Sequence, residues 1–193
     1  MPDFHLEKIC RDTMSLSALL PSAEPFTVRF IENMRVVSLR HLAGGTAAVE
    51  RALAPRYLTQ LPKPGTYVGT DPCLVWTRLT EMLLLTSIDA IAEDMLQAMA
   101  PKHESLACAV DRSAGSVVFD LLGVGIDDVL HRLLDASAIP LQAPHATRAR
   151  FMDVCAVVVR LGPQRAWMLL DRPDAPYAAT WISHAWQAAD KSR

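Results

Sequence analysis

Glycines precede a helical pattern at two places, Gly44-Gly45 and Gly123-x-Gly125, and the start of a helix after such a loop is where a phosphate can be cradled. The second loop reads G-V-G-I-D-D, which puts Asp127 and Asp128 in the first helical turn. Two carboxylates suit the positive helix end themselves and repel a phosphate there. No G-x-x-x-x-G-K-[ST] occurs in the chain. Ser113, in D-R-S-A-G, has the outline of a nucleophile turn, but G-x-S-x-G is absent and a strand follows where the nucleophile elbow requires a helix. Its hydroxyl is expected to bond its own turn. The six histidines (His5, His41, His103, His131, His145 and His184) form no i, i+4 pair and show none of the spacing that marks a zinc site. The expectation is a chain with no catalytic, cofactor-binding or metal-ligating residues of its own.

Two groups are left that could recognise a partner. Arg148, Arg150, Arg160 and Arg165 lie on or beside one expected hairpin, where neighbouring guanidiniums can grip the carboxylates of another protein or pair with surface acids. Tyr177, Trp181 and Trp186 could form a stacking platform, but their helical spacing assigns them to a core, with Trp186 at an edge where its indole N–H can reach out. The possible partner contacts are therefore Arg148, Arg150, Arg160, Arg165 and Trp186.

The elements that must position these groups are read from the hydrophobic period. The organising stretch is Ala109–Leu141: a short strand to Val110, a polar turn over Asp111–Gly115, and a second strand over Ser116–Leu121. A glycine break follows, and then a helix with Ile126, Val129, Leu130, Leu133 and Leu134 on one face. Upstream, strands are expected in Val28–Leu42, a helix over Ala47–Leu53, a hairpin of Cys73–Leu79 and Glu81–Thr86, and a helix capped by Ser87 that ends at Pro101. Downstream, one long strand is expected over Arg150–Arg160, buried on both faces, with a return strand over Ala166–Asp171. A last helix capped by Asp174 covers Ala175–Ala189.

Segments repeat in order at an offset of about 80 to 86: Val36–Gly45 with Val117–Gly125, Cys73–Leu79 with Cys155–Leu161, and MLLLT with WMLLD. The expected fold class is α+β, with two pseudo-repeated ferredoxin-like (split β-α-β) halves forming one domain. Residues 1–27 read as an N-terminal arm tied to its own body or to a subunit contact. Residues 28–190 form the body, with halves of about 28–111 and 112–190.

At 193 residues the chain can bury a substantial core, and no apolar run approaches the roughly 20 residues of a membrane helix. Net charge is −2, so no basic field invites nucleic acid. The opening MPDFHLEKICRD has no apolar h-region, and Cys10, Cys73, Cys108 and Cys155 lie far apart without C-x-x-C. Buried free thiols and a cytoplasmic setting are expected.

D-x-S-x-G (Asp111, Ser113, Gly115), the glycine just past the second strand, the Leu133-Leu134 pair and the tail Ile139-Pro140-Leu141 together resemble the gamma subunit family of heterotetrameric sarcosine oxidase. That family is related in fold to the folate-binding aminomethyltransferase (glycine-cleavage T-protein) group. The resemblance runs through most of residues 28–188, with Leu74-Val75-Trp76, Glu81–Leu84, Asp171-Arg172-Pro173 and Tyr177-x-x-x-Trp181-Ile182 in the family's places. The chain departs from the pattern at Gly123-Val124, where the family has Gly-Pro, at Ser137-Ala138 before the tail, and at Met82, where the family has tryptophan.

The resemblance implies a non-catalytic assembly subunit of a complex that oxidises sarcosine or a related N-methylated amine. It implies alpha, beta and delta partner subunits. These carry FAD, FMN, NAD, tetrahydrofolate and zinc, and this chain binds none of them. The competing reading is a stand-alone folate-binding, aminomethyltransferase-like protein, in which the arginines would meet a folate tail. That reading requires a further barrel domain and an acid facing a central pocket. A scaffold for some other oxidoreductase is the third.

Overall fold

The computed structural model describes residues 20–21, 26–53, 60–101 and 105–190. The N-terminal arm expected over 1–27 lies largely outside the described residues. In chain order the elements are β1 (Phe26–Phe30), β2 (Arg35–His41), α1 (Thr46–Leu53), β3 (Tyr67–Val68), β4 (Cys73–Arg78), β5 (Glu81–Thr86), α2 (Asp89–Ala98) and β6 (Ala107–Asp111). There follow β7 (Ser116–Gly123), α3 (Ile126–Leu133), β8 (Ala146–Phe151), β9 (Val154–Gly162), β10 (Arg165–Asp171) and α4 (Ala175–Asp190). The protein is a mixed α+β fold with two antiparallel five-stranded sheets, ordered β1-β7-β10-β9-β8 and β3-β4-β5-β2-β6.

Side-chain alternation along each strand builds three apolar layers. Val117, Phe119 and Leu121 of β7 and Ala166, Met168 and Leu170 of β10 face α3 and α4. Val37, Leu39, Leu74, Met82 and Leu84 of the other sheet face α1 and α2. The intervening positions, Val36, Val75, Leu83 and Leu85 against Val118, Val157, Val159, Trp167 and Leu169, fill the space between the sheets. The body is thus a helix–sheet–sheet–helix sandwich. Burying both faces explains why Val157–Val159 carries no polar alternation.

Helix α3 shows how local sequence sets an element. Gly125 caps it with a left-handed φ of 96°, Ile126, Val129, Leu130 and Leu133 form its buried stripe, and Asp127 and Asp128 begin it while His131 and Arg132 end it, in the sense the helix dipole favours. Helix α1 begins differently. A Cβ on Gly45 would lie 2.3 Å from the Leu106 carbonyl oxygen, so only glycine lets the helix start against the strand leading into β6. Leu42 donates to that same carbonyl at 2.8 Å.

Four expectations are corrected. The single strand over Arg150–Arg160 is two strands, β8 and β9, reversed at Met152-Asp153, with Met152 at a φ of 48° and the Arg150 guanidinium bonding the Met152 carbonyl at 2.7 Å. Ser87 does not cap α2; Ile88 holds that position, and Ser87 donates its N–H to Asp71 at 3.2 Å and its hydroxyl to the same carboxylate. β1, grouped by sequence with the first half, pairs along its whole length with β7, because Phe26 and Val28 bury against the α3/α4 layer. Finally, Cys73 is buried but Cys108 is half-buried and Cys155 is exposed, near the turn that opens β9.

The chain crosses between the sheets side by side at residues 31–34 and 112–115. There Arg35 bonds Asp89 at 2.7 Å, Asp111 at 3.0 Å and the Ser113 hydroxyl at 3.2 Å, while Arg172 bonds the Ala114 and Ser116 carbonyls at 2.6 and 2.9 Å. The D-x-S-x-G motif is therefore a staple between the sheets.

Candidate functional site

Residues that sequence singled out for chemistry are occupied with structure. The Ser113 hydroxyl donates to Asp111 at 2.6 Å and accepts from the Val36 amide at 3.0 Å. Burial raises the Asp111 pKa, but the Ser113 hydrogen bonds and then Arg35 hold it below its ordinary value. At the Gly123-x-Gly125 loop the first helical turn is met from within, because Arg160 bonds Asp127 at 2.6 Å and the Gly162 carbonyl at 2.7 Å. Among the described residues no three His, Cys, Asp or Glu side chains gather in a way that could hold a metal ion. Burial, and then the charge of Asp71, push the Cys73 thiol up to about 12, so it has no thiolate character near neutrality.

The five possible partner contacts do not form one surface. Arg160 is 1% exposed and faces the helix layer, since it alternates with Val158 and Ala156. Its pairing with Asp127 removes it from any docking face. Arg150 is exposed and bonds Asp153 on its own turn at 3.2 Å. Arg165 forms a two-pronged pair with Asp120, both bonds 2.9 Å, and its side-chain hydrogen bond with that carboxylate raises its pKa. Trp186 is half-buried and stacks on Phe26 with ring centroids 4.9 Å apart. Arg148 is the exception, reaching from β8 across the sandwich to Glu81 at 3.7 Å.

Glu81 is the centre that sequence reasoning missed. It opens β5 in register with Leu83 and Leu85, so its carboxylate faces the layer between the sheets, with a side chain only 6% exposed. Ser38 donates to it at 2.7 Å, Arg40 at 3.3 Å, and Arg78 lies 3.4 Å from its second oxygen. Burial raises the Glu81 pKa, but the Ser38 hydrogen bond, then Arg78 and Arg40, outweigh it and hold the group below the usual carboxylate range. A cleft of about 460 Å³ opens beside it, lined by Arg40, His41, Leu42, Arg78, Thr80, Glu81, Ser105, Leu106, Ala107 and Cys108. The available signal was an acid at an inward position of an otherwise apolar strand, three residues after an arginine.

No family model matches the sequence, and no curated protein matches it at the sequence level. Solved structures do match. A chain of the heterotetrameric sarcosine oxidase from Corynebacterium sp. U-96 superposes with a TM-score of 0.71 at 20% identity, covering 91% of this chain and 91% of that one. The fold is that of a sarcosine oxidase chain. Equal coverage also makes the two chains about the same length. The glycine cleavage system aminomethyltransferase T from Bartonella henselae superposes with a TM-score of 0.55 at 17% identity over 87% of this chain. This chain spans only 47% of that enzyme. Both groups that the sequence resembles are thus structural neighbours of the chain. No described helix is long and apolar enough to cross a membrane.

Proposed function

We propose that this chain is the gamma subunit of a cytoplasmic heterotetrameric sarcosine oxidase, or of a related N-methyl amine oxidase. In this role it serves assembly and performs no step of the oxidation. The observation that carries the reading is the match, over 91% of both chains, to one chain of a multi-chain sarcosine oxidase. The alpha, beta and delta subunits then hold FAD, FMN, NAD, tetrahydrofolate and zinc. Two features of the chain support this division. The serine and glycine-loop residues considered for chemistry are engaged within the fold, and apart from the Glu81 cluster at its edge the layer between the sheets is built of apolar side chains. The two strand orders also support two ferredoxin-like halves, about 28–111 and 112–190, with β1 completing the second.

The test is co-expression with the genes beside it, purification by a tag on this chain, and an absorption spectrum. A yellow complex with large partners that produces peroxide from sarcosine is the expected result. Yellow without sarcosine turnover moves the substrate to another methylated amine, and a colourless monomer overturns the reading. Saturable tetrahydrofolate binding to the isolated chain by calorimetry would favour the stand-alone folate protein instead.

A further inference from the structure

We propose that the cleft beside Glu81 is the face on which this chain docks a larger partner polypeptide, through a segment that presents a carboxylate among apolar side chains. The inference rests on the assembly reading above and names the surface that reading requires. Three guanidiniums, from Arg40, Arg78 and Arg148, converge on one carboxylate, leaving a surplus of positive charge among the described residues. None of them makes a short two-pronged bond to Glu81: the separations are 3.3, 3.4 and 3.7 Å. A saturated pair looks different, as Arg165 with Asp120 shows at 2.9 Å on both prongs.

The Arg40 and Arg78 side chains are 56% and 54% exposed, so their donor forks reach solvent while Glu81 fixes their position from within. Leu42 and Leu106, exposed by 63% and 49%, line the cleft with them, and Leu79, exposed by 82%, stands on the turn between the lining residues Arg78 and Thr80. Arginine is enriched at interface centres, the exposed leucines offer apolar area to bury beside it, and the guanidinium charge is complementary to an acidic segment. The leucines and the chain's net charge of −2 favour a protein carboxylate over the phosphates of a nucleic acid.

The experiment measures binding of the co-expressed partner subunits to the full-length chain, comparing wild type with R40Q/R78Q, L79D and R150E. Leu79 sits exposed on a tight turn, so L79D keeps the fold even where the double variant loses it, and circular dichroism checks each protein. R40Q/R78Q and L79D are each expected to bind about tenfold or more weakly, and R150E as wild type. Wild-type affinity in a folded L79D and R40Q/R78Q overturns this docking face and leaves the assembly reading standing. A wild type that captures no partner subunit overturns the assembly reading, and this inference with it. An oligothymidylate bound at physiological salt by wild type but not by R40Q/R78Q overturns the assignment to a protein partner.

Discussion

The hairpins β4–β5 and β9–β10 begin their return strands at matching positions, Glu81 across the turn from Arg78 and Arg165 across it from Gly162, yet with opposite charges. Each finds a partner on the neighbouring strand, Ser38 on β2 for Glu81 and Asp120 on β7 for Arg165. At the second site one cation meets one anion, both prongs are satisfied, and Arg165 keeps 47% of its side chain in solvent. The carboxylate is buried at both sites, with side chains 6% exposed for Glu81 and 11% for Asp120, but at the first it is shared among three guanidiniums. The same backbone position therefore yields a closed pair on one sheet and an open, cationic one on the other. Ion pairs at corresponding places do different work according to how many partners share the charge.

The largest way to break this contrast is Glu81→Ala. Removing the one carboxylate leaves the buried Ser38 hydroxyl without its acceptor and Arg40, Arg78 and Arg148 without a counter-charge, and a loss of about 3 kcal/mol in urea unfolding is expected. The pH profile sharpens the point. Because the folded-state pKa of Glu81 lies below its unfolded value, its contribution is complete above the unfolded value, about 4.3, and disappears as pH falls through the folded one. Wild type should therefore lose stability faster than Glu81→Ala as pH drops below about 5, with both proteins converging in acid. Parallel curves would sink the electrostatic account of the cluster.

Helix entry gives the next contrast. Gly45→Ala pushes a Cβ into the Leu106 carbonyl and should cost about 2 kcal/mol or more, whereas a Cβ on Gly44 meets an ordinary contact at 3.9 Å and a left-handed φ of 83°, so Gly44→Ala should cost about 1 kcal/mol. Equal thermal shifts for the two variants would show that close approach to β6 does not decide α1. The smallest effect belongs to the closed pair. Asp120→Asn keeps the shape, and half-exposed Arg165 turns to water, so about 1 kcal/mol is expected. A loss as large as that of Glu81→Ala would erase the distinction between the two sites.

Local pattern made much of this fold legible. The Ile126–Leu133 stripe, the β4–β5 hairpin and the strand–turn–strand of β6 and β7 all stand where the hydrophobic period and the polar turn put them. What failed was information the period does not carry. Met152-Asp153 reverses the chain without glycine or proline, so β8 and β9 read as one strand. Alternation gives the face of β1 but not its neighbour. Matching MLLLT to WMLLD by letter sets Leu83, which faces the other sheet, against Met168, which faces the helices; a one-residue slip exchanges the two faces. Arg148 and Arg160 look alike in sequence, yet the register of the β8–β9 hairpin sets Arg148 beside Val157, between the sheets, and Arg160 on the opposite face, under α3. The Glu81 centre draws on positions 38, 40, 78 and 148, and no spacing rule joins side chains that only the sandwich brings together.

The pairing of β1 with β7 also has a consequence for biosynthesis. Every strand of the β2–β6 sheet lies between these two in the chain, so that sheet can close as soon as β6 has been made. Phe26, Val28 and Phe30 must meanwhile wait, apolar and unpaired, for a partner strand that the ribosome has not yet delivered. The first strand translated is among the later ones to be placed, and its placement carries a long loop-closure cost. Nascent chains released before β7 therefore expose an aromatic edge that the finished protein hides, which makes this interval the point at which a chaperone would be most useful.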